Sequence, residues 1–327
     1  MIDSINFIIR NVSYIDFWYL RQIGIDIKEF KPKKYTRNKE NMEFEARAYS
    51  FVYESVHFQF YPQYEVIIVK TKTHKLLDKK DVRLKDAKAY KIKLYQIIQK
   101  VFNYNNVQLE LHRLDYCVDI KLEEKIKKIY LNLYRWNNPK FGNMKIQKIY
   151  KTSVYRQSKR GQFNLNIYSR YEFTGDEEDR DIFRIELQMK KAKIKKEYDK
   201  YGIDKNIDNY WSKDSMEEYY FKYLKDFFGI GQHYKLSIAK NIIDASDYSN
   251  KYKEKLKRFL TEMTMEVDYR QLARNKLFSI ETIKKYIEML GNLNINTICL
   301  YEVYDGYDVI PNLLDIAKEV AEVKYFI

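Results

Sequence analysis

Three stretches of the sequence, residues 113–119, 164–170 and 183–188, alternate apolar residues with charged or reactive ones. Because strand side chains point alternately to the two faces of a sheet, the pattern predicts β-strands with one apolar and one polar face. The apolar face would carry Leu114, Tyr116, Val118, Phe163, Leu165, Ile167, Phe183, Ile185 and Leu187. The polar face would carry Arg113, Asp115, Asp119, Tyr168, Arg170, Arg184 and Glu186. Clustered charges cost desolvation and repulsion unless a metal, a phosphate or mutual pairing compensates, so the polar face is the predicted functional site.

The composition indicates a folded protein with a polyanionic partner. The 327 residues are 45% apolar, enough for a substantial core, and their formal net charge of +14 favours nucleic acid over a membrane as the partner. With only Cys117 and Cys299, neither a disulfide framework nor a thiolate zinc site is expected, which fits a reducing, cytoplasmic location. The first residues lack a signal-peptide pattern and no apolar run is long enough to span a bilayer, so we expect no membrane association.

The order of predicted elements up to residue 190 indicates an α+β fold. Strands are expected at Ser4–Ile9, within Glu43–Lys72, at Val107–Lys121, at Met144–Arg156 and Gln162–Phe173 as a hairpin, and at Arg180–Met189. Amphipathic helices are expected at Tyr14–Ile23, Asp86–Asn103 and Glu123–Trp136. Together they predict an antiparallel sheet with helices packed on one face and the charged face opposite.

After Lys190 the pattern becomes helical. Helices are expected at Lys191–Tyr201, Ser215–Phe228, Lys251–Met265, Asp268–Lys276 and Ile280–Leu290. We therefore predict a catalytic domain over residues 1–201 and an all-helical region for DNA binding or assembly over residues 202–327. Ser279 is the predicted N-cap of the Ile280 helix and Gly291 its C-terminal stop. The last two helices fit either a helix-turn-helix or an ordinary helical hairpin, because no sequence feature fixes their crossing angle.

The carboxylates of the polar face have two interpretations. Asp115 and Asp119 lie about 13 Å apart along a regular strand, too far to share one small ion. One of them can join Glu186 from a neighbouring strand as an oxygen ligand of Mg²⁺ or Mn²⁺. Alternatively the charges form cross-strand salt bridges, Asp115 with Arg184 and Glu186 with Arg113.

Tyr168 is the candidate nucleophile of the polar face. It stands between Asn166 and Arg170, so its phenol is expected to point toward the carboxylates and away from the apolar layer. A metal ion and Arg170 can withdraw charge from a phosphodiester and favour the phenolate, and attack would leave a phosphotyrosyl intermediate that conserves bond energy for rejoining. No GxxxxGK phosphate loop occurs, so a built-in helicase activity is not expected.

The three motifs resemble those of one family. The segment 113–119 resembles the RxDxxxD strand of rolling-circle replication initiators and relaxases of the replication-initiation-factor (Rep_trans-like) type. The segment 166–172 resembles the YxK…E strand of that family, and 183–187 resembles its RxE strand, in the same order over roughly residues 1–190. Arg170 stands where the family commonly has Lys, Glu172 falls one position early, and Tyr171 is the nearest alternative nucleophile.

This resemblance implies a catalytic domain of the HUH-endonuclease type and a nicking and joining activity for a plasmid, phage or other mobile element. It implies that Tyr168 cleaves one strand at an origin, keeps the 5′ phosphate and leaves a 3′ hydroxyl that primes synthesis, with Arg170 and Arg184 as further catalytic residues. It also implies a divalent metal, Mg²⁺ or Mn²⁺, held by Asp115, Asp119 and Glu186.

The expected partners follow from the same interpretation. DNA contacts are predicted for the basic residues on and beside the polar face, Arg113, Arg156, Lys159, Arg160 and Lys190. The partners would be single-stranded and double-stranded origin DNA, a host helicase that separates the strands, and a second copy of the chain in a homodimer. Two other functions stay open: a DNA-binding protein without catalysis, whose polar face is salt-bridged, and a metal-dependent nuclease that uses water.

Overall fold

The structure, a computed structural model, describes residues 1–12, 20, 24–30, 48–102, 107–136, 144–150, 152–158, 160–265 and 269–326. The helix predicted at Tyr14–Ile23 and the basic residue Lys159 lie outside this description. The fold is α+β, with a large antiparallel sheet, helices, and a mainly helical C-terminal region, as the sequence predicts.

The strands and helices of the described chain have these bounds. The strands are β1 (Ile2–Arg10), β2 (Lys28–Phe30), β3 (Ala48–Tyr53), β4 (Val56–Tyr61), β5 (Val66–Lys72), β6 (Glu110–Lys121), β7 (Met144–Tyr150), β8 (Ser153–Ser158), β9 (Phe163–Ser169), β10 (Ile182–Lys190), β11 (His233–Tyr234) and β12 (Val309–Ile310). The helices are α1 (Thr73–Leu77), α2 (Ala87–Phe102), α3 (Glu124–Trp136), α4 (Tyr171–Thr174), α5 (Lys191–Tyr201), α6 (Lys213–Ser215), α7 (Lys222–Phe228), α8 (Leu236–Ala245), α9 (Asn250–Met265), α10 (Tyr269–Arg274), α11 (Ile280–Asn292) and α12 (Leu313–Lys324). A π-helical segment, Met216–Phe221, joins α6 to α7.

Packing divides the chain into two compact units. Unit 1 consists of Met1–Cys117, Gln188–Lys213 and Lys324–Ile327, and unit 2 of Val118–Leu187 and Asp214–Val323. Strands β6 and β10 run through both units, so each unit contains part of these two strands. The functional division predicted at residue 201 stays a prediction.

Unit 1 orders its strands β2-β3-β4-β5-β1-β6, each antiparallel to its neighbour. Helix α2 packs on the apolar face, where the Phe102 ring meets Phe58 at 5.8 Å and the Tyr90 hydroxyl lies 2.5 Å from that of Thr71. The opposite face of unit 1 carries the polar side chains that alternate with this core.

Unit 2 continues from β6 in the order β6-β10-β9-β8-β7. Its apolar face buries Phe183, Ile185 and Leu187 completely, and the Tyr130 ring of α3 stacks on Phe183 at 6.4 Å. From the π-helical segment, Tyr220 Oη donates to the Ile185 carbonyl at 2.9 Å. These contacts hold the apolar face of β10 and leave its alternate side chains on the opposite face.

The C-terminal helices of unit 2 have a core of their own, built from α8 to α11 and the segment that follows. Its buried members are Ala239, Ile243, Leu256, Phe259, Leu260, Met263, Leu272, Ile283, Tyr286, Leu290, Ile295 and Cys299. Ser279 caps α11 as predicted, because its side chain accepts from the Thr282 N–H. β11 and β12 pair as a short ribbon, so this region is mainly but not wholly helical.

Three expected boundaries are wrong. The single strand predicted at Met144–Arg156 is two strands, β7 and β8, that form their own hairpin. The strand predicted to run to Phe173 ends at Ser169, because Arg170 adopts α-helical angles and its carbonyl accepts from the Thr174 N–H at 2.9 Å. Gly291 does not stop α11; it lies inside the last turn, where an added Cβ would come within 2.2 Å of the Ile230 side chain.

Candidate active site

Strands β9 and β10 place Tyr168 and Glu186 side by side on the polar face of unit 2. Tyr168 Oη donates to Glu186 Oε2 at 3.2 Å, and the two side chains are 8% and 7% exposed. Their chain neighbours Ile167 and Ile185 are buried in the apolar layer, which is the separation that strand alternation produces. The phenol therefore points toward a carboxylate, and the role of Tyr168 as a nucleophile stays a prediction.

Asp119, on β6, is held by two arginines. Arg184 donates to both of its oxygens, from Nε at 2.6 Å and from Nη2 at 2.7 Å, and Arg170 Nη1 donates to Oδ2 at 3.0 Å. Burial by itself would raise the pKa of Asp119, but the hydrogen bonds and charge of Arg184, with the charge of Arg170, hold it below the ordinary value. Asp119 is thus a carboxylate that orders both guanidinium groups.

Arg170 connects this ion pair to the segment after β9. Its Nε lies 3.0 Å from Asp179 Oδ2, and Thr174 Oγ1 donates to the same oxygen at 2.9 Å. Asp179 is only 3% exposed, although the exposed acidic run around it gave no sequence signal that this one residue is buried. Sequence reasoning therefore missed Asp179, whose carboxylate holds the turn that follows β9.

In unit 1 the polar face is basic around one internal ion pair. Arg113 donates to Asp115 through Nε at 2.7 Å and through Nη2 at 2.5 Å, and Asp115 is 1% exposed. Asn6 of β1 pairs with both Lys70 and Arg113, so these two cations lie on the same face, two strands apart. The pKa of Lys70 and that of Lys190 are lowered, first by burial and then by the positive charge of Arg113. Same-sign charges held this way make a region that favours an anion.

The predicted metal ligands do not fit a metal ion as they are arranged. Both oxygens of Asp115 accept from Arg113 and both oxygens of Asp119 accept from Arg184, while Glu186 accepts from Tyr168. Throughout the described ranges, no three His, Cys, Asp or Glu side chains form a group that could hold a metal. The use of Mg²⁺ or Mn²⁺ stays a prediction.

One predicted DNA contact requires correction. Arg156 is completely buried, and its Nη2 donates to the carbonyls of Tyr134 at 2.8 Å and Arg135 at 3.2 Å, at the C-terminal end of α3. Burial lowers its pKa to about 10. It therefore caps a helix inside unit 2 and does not reach a surface phosphate, whereas Arg160 is exposed and Lys190 is half-buried.

Comparisons with known proteins find similarity among solved structures. No family model matches the sequence. No curated protein matches it either. A solved structure, the rolling circle replication initiator protein from Geobacillus stearothermophilus, is similar at 12% identity over 59% of this chain and 76% of that one, with a TM-score of 0.31. A likeness this distant does not establish a family. Within the described residues, no helix has the length and apolar character needed to cross a membrane.

Proposed function

We propose that this protein nicks and rejoins one strand of DNA, with Tyr168 as the nucleophile, to initiate rolling-circle replication or transfer of a mobile element. The observation that carries the proposal is the 3.2 Å hydrogen bond from Tyr168 Oη to Glu186, on a sheet face that also carries Arg184. A phenol needs a base to become a nucleophile, and this contact provides one.

In the proposed reaction, Tyr168 Oη attacks the phosphorus of a backbone phosphodiester. Its proton passes to Glu186 Oε2 as the P–Oη bond forms, and the bond from phosphorus to the 3′ oxygen breaks. The 3′ oxygen takes up a proton from water and leaves as a primer hydroxyl, while the 5′ phosphate stays on Tyr168. Reversal by a 3′ hydroxyl rejoins the strand, because the phosphotyrosine retains the bond energy.

Arg170 and Arg184 act in this proposal as positioning residues, not as groups that touch the phosphate. Both guanidinium groups bind Asp119, and this contact fixes the side-chain conformation of Arg184, two residues before Glu186 on β10. A divalent cation can lower the charge on the phosphoryl oxygens when bound, but none of the steps above depends on one.

The ion pairs also favour a second candidate, a DNA-binding protein without catalysis. That function predicts a salt-bridged polar face, and the Arg113–Asp115 and Arg184–Asp119 pairs have this character. The two candidates differ in one respect, the covalent bond to DNA.

Trapping that bond tests the proposal. The full-length chain is incubated with a library of single-stranded oligonucleotides labelled at the 3′ end, in Mg²⁺, in Mn²⁺ and in EDTA. We expect labelled protein on denaturing gels, with the adduct mapped to Tyr168 by mass spectrometry, and a released 5′ fragment that a polymerase can extend. The EDTA reaction reports whether a metal is needed.

Matched variants identify the residues involved. Tyr168→Phe should abolish the adduct and leave binding of the oligonucleotides within about twofold, and Glu186→Gln should slow adduct formation by about 10²–10⁴-fold. Tyr171→Phe should retain the adduct, because that hydroxyl donates to Glu177 on the exposed turn at 3.0 Å. Binding without any adduct would support the non-catalytic candidate, and cleavage without an adduct would indicate a nuclease that uses water.

A further inference from the structure

Phe173 is an exposed aromatic side chain beside the candidate nucleophile. It is 77% exposed, and its ring centroid lies 5.7 Å from that of Tyr168. A phenylalanine this exposed buries little apolar surface and contributes little to the core. Its position next to a reactive phenol therefore calls for a functional explanation.

The turn that presents Phe173 is held in place from both ends. The N–H of Gly175 donates to the Tyr171 carbonyl at 2.7 Å, and Gly175 adopts a φ of 69°, which ends the short helix α4. Thr174 Oγ1 contacts both the Arg170 carbonyl, at 3.1 Å, and the Asp179 carboxylate, at 2.9 Å. A side chain on such an ordered turn loses little entropy when a ligand binds.

The charge of the same turn limits what can lie on the ring. Glu172, Asp176, Glu177 and Glu178 are all exposed, and Arg180 forms an ion pair with Glu177 at 2.6 Å, so one basic residue stands among four acids on this turn. This negative rim repels phosphate groups. An uncharged planar ring is the part of a nucleotide that Phe173 can accept, with the phosphates turned away from the rim.

We propose that Phe173 is a stacking platform for an unpaired nucleobase next to the phosphodiester that Tyr168 attacks. The inference rests on the proposed function and specifies its substrate further. Stacking on Phe173 requires a base that is not paired, so this platform selects single-stranded DNA, or a strand already separated, over duplex.

Oligonucleotide binding by the full-length Tyr168→Phe protein tests the platform without interference from cleavage. Fluorescence anisotropy with a labelled 20-nucleotide single strand of mixed sequence compares this parent with added Phe173→Leu, Phe173→Trp or Tyr64→Leu. Loss of one stacked base corresponds to an affinity decrease of roughly 5- to 150-fold, which we expect for Phe173→Leu. Phe173→Trp should bind within about threefold of the parent. Tyr64, another exposed aromatic residue at 64% exposure, should tolerate Leu without effect.

Tryptophan fluorescence gives a second measurement. The added emission of Phe173→Trp should be quenched by the single strand and not by a duplex of the same length. If Phe173→Leu binds the single strand like the parent and the single strand does not quench Phe173→Trp, the stacking proposal is overturned while the nicking proposal stands. Equal losses for Phe173→Leu and Tyr64→Leu, or equal quenching by duplex, would overturn it as well. If the parent binds no single strand at all, both proposals fail.

Discussion

Replacement of Asp119 should destabilise unit 2, because two arginines bind its buried carboxylate. Asp119→Asn removes the carboxylate charge that pairs with the buried Arg184 guanidinium and with Arg170, which keeps its ion pair with Asp179. Because the buried Arg184 guanidinium loses the carboxylate that both its Nε and Nη2 bind, we expect the free energy of unfolding to fall by about 3–5 kcal/mol at pH 7. Urea denaturation followed by circular dichroism measures the change. Glu172→Gln, an exposed neighbour on α4, is the control and should change stability by less than about 0.5 kcal/mol.

The difference in unfolding free energy between wild type and Asp119→Asn should change with pH in a definite direction. The pKa of Asp119 is below its ordinary value in the folded protein, so its ionised form stabilises the fold above the unfolded pKa, about 3.9. This stabilisation is lost as the pH falls through the folded pKa. The gap between wild type and Asp119→Asn should be full at pH 7 and should narrow below about pH 4. A gap that widens on acidification would contradict the assignment.

For individual residues, the sequence predicts the sheet face of a side chain better than it predicts the partner of that side chain in an ion pair or hydrogen bond. Alternation was sufficient to put Tyr168 and Glu186 on one face, because the period of two is a property of any strand. It could not identify the partner of Asp115, which pairs with Arg113 on its own strand, since rotamers and strand register decide between competing arginines. Arg156 shows the same limit: nothing in the sequence distinguishes a buried helix-capping guanidinium from an exposed one.

Elements with a strong apolar period were predictable, and the residue at which β9 ends was not. Helix α5 has the predicted bounds, Lys191–Tyr201, and α3 begins one residue after the predicted start. By contrast, β9 ends early because Arg170 turns into α-helical angles and its carbonyl accepts from the N–H groups of Phe173 and Thr174. Helices α8 and α12 were not predicted.

The short strand β11 contains a buried histidine that should make stability depend on pH. Tyr134 Oη donates to His233 Nε2 at 2.7 Å, and His233 Nδ1 donates to the Ile298 carbonyl at 2.8 Å, so the ring is neutral with its proton on Nδ1. Burial lowers the pKa of His233 to about 4. Between about pH 6.5 and pH 4 the unfolded chain takes up a proton that the folded one excludes, so stability should decrease over that interval, by up to about 3 kcal/mol.

Variants separate this effect from other titrations in the same range, including that of His112, whose pKa is also lowered to about 4. His233→Gln should reduce the slope of unfolding free energy against pH, at a pH-independent cost of about 1–3 kcal/mol for the altered hydrogen bonds. Tyr134→Phe removes the donor and keeps the titrating ring, so the slope should persist. A slope unchanged in His233→Gln would show that the ring does not titrate in this window.

Across the whole molecule, the net charge of +14 favoured a polyanionic partner but did not indicate where basic side chains gather in the fold. A net charge does not say where the charged side chains lie in the folded protein. The register of β5, β1 and β6 is what brings Lys70 and Arg113 onto one face, and the fold adds Lys190 close enough for Arg113 to lower its pKa. The division of the chain into units was likewise not readable from the sequence, because β6 and β10 each pass through both.

If this basic face binds DNA phosphates, single-strand affinity should fall steeply with salt, and its residues should account for a defined part of the slope. Each phosphate contact contributes about 0.7 to the slope of log affinity against log salt for single strands. Lys70→Ala and Lys190→Ala should each reduce the slope by about that amount and weaken all sequences alike, because phosphate contacts carry no base information. Lys257→Ala, whose ammonium pairs with Asp244 at 2.8 Å and Glu254 at 2.7 Å, should leave the slope unchanged. The slopes are measured by fluorescence anisotropy from 50 to 300 mM NaCl. If the wild type and the three variants have equal slopes, DNA binds to another surface, because counterions are released only where cations meet the phosphates.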